Sequence, residues 1–437
     1  MDIGTITIIL FIVLIAALLT GLPLSLVMGG VSVWFTYMLW GPQAITAIKA
    51  NTFGVMQNFI ITAIPLFIFV GMVLQNSGLA KSLYDMMYKW FGGIRGGLAV
   101  GTVIICMLFA AMTGISGAAT VTMGLIALPS MLRHNYQKDI SIGCVAAGGA
   151  LGILIPPSVP MILYGLFAGE SIGALFAGGI LPGVLLGCMF IIYILIRAYL
   201  QPSLAPSVPK EERASWKEKI ASLKSVISPI LLILAVLGAI FKGVATPTEA
   251  AAVGALGSLV CAAINRGLNW QMFKDTCFTT LKLSCMVVWI IIGGTCFTAV
   301  YTALGAVDLI KDIVAALPVS RYIILAGMQF VLFILGCLMD PGGIIMVCTP
   351  VMVPVIKQLG FDAVWFGVLF TVNMEMAYLT PPFGFNLFYM KAIVPEGITM
   401  NDIIRSIIPF VGIQAFCLVI CIIFPELVLW IPRKLIG

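Results

Sequence analysis

Two stretches of the sequence carry residue types suited to holding small ions. Thr113-Gly114-Ile115-Ser116-Gly117-Ala118-Ala119-Thr120 joins two apolar segments without a charged residue, and Leu154-Ile155-Pro156-Pro157-Ser158-Val159-Pro160 interrupts a third. Proline lacks an N–H and disfavours helix in the residue before it, so the second stretch breaks a helix and frees backbone carbonyls. Freed carbonyls and helix C-termini suit a cation, and helix N-termini suit a carboxylate. Ser116, Ser158 and Thr120 add hard hydroxyl oxygens, the ligand type that sodium takes. The pair recurs as Asp340-Pro341-Gly342-Gly343 and Thr380-Pro381-Pro382-Phe383-Gly384-Phe385-Asn386. Asp340 is a carboxylate inside an apolar hairpin, which is costly in lipid and marks a functional candidate, and it is equally placed to cap the second arm. Glu375, with Asn373 two residues earlier, precedes the second break. Thr246 or Thr248 before a helical run suggests an N-cap, and Glu249 reads as a first-turn acid with a structural role.

The elements that must position these stretches are transmembrane helices. Of the 437 residues, 61% are hydrophobic and 9% charged, too few charges to cover a soluble globule. A soluble enzyme, a nucleic-acid binder and a disordered chain are excluded, and the net charge of +6 is small for this length. Lipid satisfies no backbone polar groups, so the fold class is an all-α polytopic membrane protein. Apolar runs lie at 4–20, 23–40, 52–75, 174–200, 226–241, 248–264, 283–303 and 403–430. The pairs 97–113/119–132 and 322–338/344–356 are joined without loop-like polar residues and are expected to be re-entrant hairpins. With the two proline-broken segments this makes ten crossings and two hairpins. An outside N-terminus places 16 of the 23 Lys and Arg inside, as the positive-inside rule requires. Segments near 79–92 and 267–280 mix aromatic with charged residues and are expected to lie at the interface as amphipathic helices. The apolar run after Met1-Asp2-Ile3 lacks a basic leader and is expected to be a retained first helix. The cysteines are scattered without metal spacing and read as small buried hydrophobes.

The two halves repeat. Pro156 and Pro381, Pro129 and Pro354, and Gly117 and Gly342 are each 225 residues apart, and Gly78 and Gly305 are 227 apart. Five crossings separate each element from its partner, and an odd number inverts the second copy. Inverted repeats with broken helices meeting at mid-membrane are the signature of secondary transporters. The expected organisation is scaffold helices with a first interfacial helix in 1–95 and a first transport unit in 96–172 (hairpin 97–132, broken helix 139–169). Scaffold helices in 173–317 contain a cytoplasmic linker at 201–225. A second transport unit follows in 318–392 (hairpin 320–358, broken helix 362–391), then a C-terminal scaffold helix in 393–437.

The runs GGALGILIPPSVPMILYG, FKGVATPTEAAAVGAL, LGCLMDPGGIIMVCTPVMVPVIKQLGFDAVWFGV and LTPPFGFNLF resemble the large membrane subunit of TRAP (tripartite ATP-independent periplasmic) transporters along essentially the whole chain. The resemblance implies a bacterial inner-membrane, sodium-coupled importer of organic acids with an elevator-type fold, similar to the divalent-anion/sodium symporters. It implies two partners, a small four-helix membrane subunit and a soluble periplasmic binding protein. Where the family often has SGS at the first tip, this chain has Ser116-Gly117-Ala118, so only the backbone can serve at 118. The expected sodium sites are Gly114, Ser116, Pro156 and Ser158 in one half, and Asp340, Gly342, Thr380 and Pro381 in the other. Ser116, Gly117, Pro157, Gly343, Pro382 and Asn386 are expected around the substrate, with Asn373, Glu375 and Glu249 in support. Two other classes also fit parts of the sequence. Gly114-Ile115-Ser116-Gly117 matches a serine-protease GxSG, but the sole histidine, His134, lies in a polar turn at the membrane edge. Re-entrant hairpins also build channels, whereas hairpins followed by broken helices favour alternating access.

Overall fold

The structure is a computed structural model that describes residues 2–382 and 384–435, and among these every regular element is helical. Seven helices are long and apolar enough to cross a membrane, the longest being Trp270–Ala303 with 34 residues. Phe383, inside the second break, lies outside the described residues.

Both hairpins form where the apolar segments meet. Gly97–Thr113 is closed by Gly114 at φ +63°, a left-handed cap that glycine adopts without a Cβ penalty. Ile115 is extended, and the chain turns straight into Ser116–Arg133. In the second copy Arg321–Gly336 leads through a short turn to Pro341–Gln358, with Asp340 as N-cap and Pro341 in the first turn. The breaks follow the same logic. Lys138–Ala150 tightens into a 3-10 turn, passes Pro156-Pro157 and resumes at Val159–Ala168 behind Ser158 as cap. Ala363–Tyr378 ends before Pro381-Pro382 and resumes at Phe385–Ile393.

The repeat explains where the expected spans were misjudged. The run 52–75 is two helices, Ile45–Gln57 and Ala63–Asn76, parted at Asn58, whose side chain accepts the Ile60 N–H and starts a 3-10 turn. At the spacing of 227 residues that holds from Gly78 to Gly305, Asn58 corresponds to Cys285, which offers no cap. The second copy therefore runs unbroken through Trp270–Ala303, and the segment 267–280 is the start of that helix rather than a separate interfacial one. The true partner of the interfacial helix Leu79–Phe91 is Ala306–Ala316; both start after a left-handed glycine, Gly78 and Gly305. The run 403–430 is also two helices, Met400–Ile423 and Glu426–Leu435.

Two groups of helices pack together. Leu24–Trp40, Ala63–Asn76, Pro247–Ile264 and Trp270–Ala303 form one. The hairpins and broken helices form the other, and Ile172–Leu200 and Met400–Ile423 pack there too rather than with the first group, as the segment boundaries 173–317 and 393–437 had suggested. Buried hydrogen bonds fasten this second group: Trp365 Nε1 donates to the Cys421 carbonyl at 3.0 Å, and Tyr164 Oη to the Ala363 carbonyl at 2.8 Å. The groups meet at glycines. A Cβ on Gly71 would lie 2.8 Å from Thr113 Cα, and one on Gly294 2.7 Å from Met346 Cβ. The linker is not free along its length. Ala205, Leu204 and Val208 bond Gly96, Gln137 and Gly92 through the backbone at 2.8–2.9 Å, strapping the base of the first hairpin. Cys188 is exposed rather than buried.

Candidate functional site

The second segment of each broken helix packs against the hairpin of the other half. Val159–Ala168 lies on Pro341–Gln358, and Phe385–Ile393 lies on Ser116–Arg133. This crosswise arrangement follows from the breaks: once proline ends a helix, the resumed segment takes a new direction and buries its apolar face on the nearest unpaired arm. Glu170 joins in by pairing with Lys357 at 2.7 Å at the far ends of the same elements.

The two tips converge on a cavity of about 410 Å³. Five helix starts reach it: Ser116, Val159 with Pro160, Pro341 with Gly342, and Phe385 from the hairpin group, and Leu24 with Ser25 from the scaffold group. Each start presents the positive end of a peptide dipole, although at Val159–Ala168 the first N–H groups are already engaged, Val159 N with Gly114 and Met161 N with Ser158, and residue 160 is proline. Asp340 also lines the cavity, together with Tyr378 and Tyr389. No lysine or arginine lines it, so charge balance for an anion has to come from helix ends and from bound cations.

Of the expected first ion set, Gly114 and Ser116 reach the cavity, while Pro156 and Ser158 lie fully buried behind the tip. Val159 N donates to the Gly114 carbonyl at 3.4 Å, and a Cβ on Gly114 would stand 2.5 Å from the Pro157 carbonyl oxygen, so tip and break touch through their backbones. The Ser158 hydroxyl donates to the Ile153 carbonyl and accepts from Met161 N, which is a capping role. In the second set Asp340 and Gly342 line the cavity; Thr380 Oγ1 is engaged with the Met376 carbonyl at 2.8 Å, and Pro381 and Pro382 are exposed away from it. Asp340 does cap its helix, accepting from Gly343 N at 3.3 Å, while remaining half-buried on the cavity wall. The capping role expected of it is present, and its place on the cavity wall leaves it within reach of a ligand.

Asn386 differs most from expectation. Its helix crosses to the first half, where Ser116 Oγ donates to Asn386 Oδ1 at 2.8 Å and Asn386 Nδ2 donates to the Ala146 carbonyl at 3.1 Å. The residue is fully buried and acts as the bolt between first tip and first broken helix instead of standing open to a ligand. Gly117 lies under the Tyr389 ring, and Gly343 against the Leu24 side chain. Asn373 donates to the backbone carbonyl and side chain of Gln329, both at 2.7 Å, tying the second broken helix to the second hairpin. Glu375 is fully buried, with no hydrogen-bond partner at either oxygen, away from the cavity. Glu249 sits in an exposed capping box, accepting from Thr246 N at 2.8 Å while its own N donates to Thr246 Oγ1 at 3.3 Å, and it does not line the cavity. Replacing Glu249 with Ala should therefore lower thermal stability by about 1 kcal/mol and leave transport and its ion dependence unchanged; an altered ion requirement in uptake assays would contradict this.

Sequence reasoning missed Tyr378, Tyr389 and Phe385 on the cavity wall, and the scaffold residues Ser25 and Leu283 that face them. The aromatics flank the second break within a few residues, a usable signal. The protease alternative fails on geometry. Ser116 has Asn386 as its partner and no base, while His134 is engaged at the other end of Ser116–Arg133 with Ser130, Tyr88 and Glu212.

The comparisons agree with this architecture. By structure the chain is similar to the YdaH transporter of Alcanivorax borkumensis, with a TM-score of 0.63 at 13% identity over 94% of this chain and 97% of the other. MtrF of Neisseria gonorrhoeae gives a TM-score of 0.63 at 12% identity over 87% and 84%. At these identities the likeness concerns the fold. By sequence it is 31% identical to the C4-dicarboxylate TRAP transporter large permease protein DctM of Vibrio cholerae, over 98% of both chains. It is 34% identical to the protein of the same description from Pseudomonas aeruginosa, over 93% of this chain and 94% of the relative. The ectoine TRAP transporter large permease protein TeaC of Halomonas elongata is 30% identical over 97% and 98%. Residues 11–427 match the family described as the DctM component of tripartite ATP-independent periplasmic transporters, and with its inverted hairpins and broken helices the chain belongs to that family.

Proposed function

We propose that this permease imports a small organic acid anion in symport with sodium, moving the hairpin group as a body against the scaffold group. It is a multi-pass inner-membrane transporter and not an enzyme. The observation that carries the coupling is the composition of the cavity wall: five helix N-termini and one carboxylate, Asp340, with no basic side chain among the described residues. An anion placed beside Asp340 meets like charge in a medium of low dielectric, and cations held at the tips remove that repulsion. The Gly114 and Gly342 regions with Ser116 and Asp340 supply the oxygens for those ions; the N–H groups of the same tips face the carboxylate. Each tenfold sodium gradient contributes about 1.4 kcal/mol per ion, and each net charge moved inward about 2.3 kcal/mol per 100 mV.

The relatives named above carry C4-dicarboxylates or ectoine, and a further relative from Escherichia coli carries 2,3-diketo-L-gulonate, which together support a small carboxylate as the class of cargo. As a TRAP large permease the chain works with a small membrane subunit and a periplasmic binding protein that delivers the anion. The moving body would comprise the hairpins, the broken helices and the two helices packed on them, Ile172–Leu200 and Met400–Ile423. Its glycine contacts at Gly71 and Gly294 are the interface across which it slides. In proteoliposomes holding both membrane subunits and supplied with loaded binding protein, uptake should stop when external sodium is replaced by potassium. Uptake at the same rate without sodium would end the coupling proposal.

A further inference from the structure

A second cavity of about 430 Å³ lies between Ile45–Gln57, the end of Val159–Ala168 and the later part of Trp270–Ala303. It shares one wall helix with the tip cavity, on a face turned by roughly a third of a turn about the helix axis. Leu283, Met286, Val287 and Ile290 of Trp270–Ala303 wall the tip cavity, and Ile291, Thr295 and Thr298 wall the second one. Val287 and Thr295 are eight residues apart, about 12 Å along the helix axis. Lys274 and Lys282 mark the start of this helix as the cytoplasmic side, so the tip cavity lies beside its inner part and the second cavity beside its outer part.

The two walls differ in chemistry. The inner wall on this helix is wholly aliphatic, whereas the outer cavity is rimmed by Asn51, Asn58, Thr295 and Thr298. Thr295 is bonded within its own helix, and Thr298 donates to the Met346 carbonyl of the second hairpin at 3.4 Å. Asn58 uses its carbonyl oxygen to cap Ile60, leaving its N–H₂ group for the cavity. Asn51 is half-buried in mid-helix, and its side chain has no protein hydrogen bond among the described residues. Amide N–H groups turned into a cavity are carboxylate donors.

We propose that the outer cavity is the scaffold half of the outward-facing anion site, with Asn51 as its specificity-determining donor. When the tips travel outward by about 12 Å they exchange an aliphatic wall for one bearing amide donors. The anion is then held more tightly facing out than facing in, so it is captured from the binding protein and shed into the cytoplasm. This inference rests on the sliding motion of the proposed function, and two measurements separate them. Cross-linking tests the motion: Gly342→Cys should join Ile290→Cys in the inward form and Thr298→Cys in the outward form. Kinetics test the donor. The probe is whichever radiolabelled small carboxylate the wild-type complex accumulates best from a panel of dicarboxylates, sialic acid and keto acids. With Asn51→Leu, uptake at limiting loaded binding protein should fall about tenfold, the loss expected for a hydrogen bond to a charged group. Half-saturating sodium and the half-saturating internal concentration for efflux should be unchanged, and Asn51→Ser, which restores a donor, should recover part of the loss. If the Thr298→Cys cross-link forms while Asn51→Leu leaves uptake unchanged, or weakens efflux equally, the donor role is overturned and the motion stands. If that cross-link never forms, the motion itself fails.

Discussion

Asp340→Asn should leave the second hairpin folded and abolish sodium-driven uptake. Asparagine caps a helix about as well as aspartate, so the bond from Gly343 N at 3.3 Å has a replacement acceptor. What disappears is the charge, the only carboxylate among the described residues on the cavity wall. A cation bound near it loses its counter-charge in a low-dielectric setting, where removing one partner typically costs several kcal/mol. A drop of two or more orders of magnitude in sodium affinity is the expected scale. Asp340→Ala serves as the comparison: it removes charge and cap together, and should add a loss of thermal stability of about 1 kcal/mol that Asp340→Asn lacks. Normal sodium dependence in the Asn variant would reduce Asp340 to its capping role.

The second large effect is expected at Gly114. Its φ of +63° costs a residue with a Cβ roughly 1–2 kcal/mol. That Cβ would also stand 2.5 Å from the Pro157 carbonyl oxygen, and relieving such a contact typically costs about 1–3 kcal/mol more. Gly114→Ala should thus push the first tip off the first break and cut uptake by roughly a hundredfold, at about 1.4 kcal/mol per tenfold. Gly169→Ala isolates the backbone contribution, because Gly169 has φ +68° with nothing within 4 Å of its would-be Cβ. It should lower the melting temperature slightly and leave transport near wild type. Equal behaviour of the two variants would mean that the contact between tip and break is not required for transport.

The hairpins and breaks were legible because their causes are local. Gly114, Asp340-Pro341 and the paired prolines each dictate a backbone event whatever surrounds them. The register of the repeat was legible for the same reason. Where two helices replaced one at Asn58, the signal was a single capping residue within an apolar run, and hydropathy does not register it. Partnership was the hidden part. Nothing in the order of residues tells that Phe385–Ile393 packs on the first hairpin, so Asn386 was placed beside a ligand when it is bonded to Ser116 and Ala146. Equally hidden was the company of Ile172–Leu200 and Met400–Ile423, whose apolar surfaces suit either group of helices. Glu249 was read correctly as a capping acid because a capping box is complete within four residues.

The exchange of broken-helix segments between the halves sets an order on biogenesis. As the ribosome delivers the first half, Ser116–Arg133 has no Phe385–Ile393 to cover it, and Val159–Ala168 has no Pro341–Gln358. A nascent chain stopped at the linker would hold an uncovered tip with the Ser116 hydroxyl lacking its acceptor. Co-expressed fragments severed within the linker should each insert, yet become resistant to protease only when both are made together.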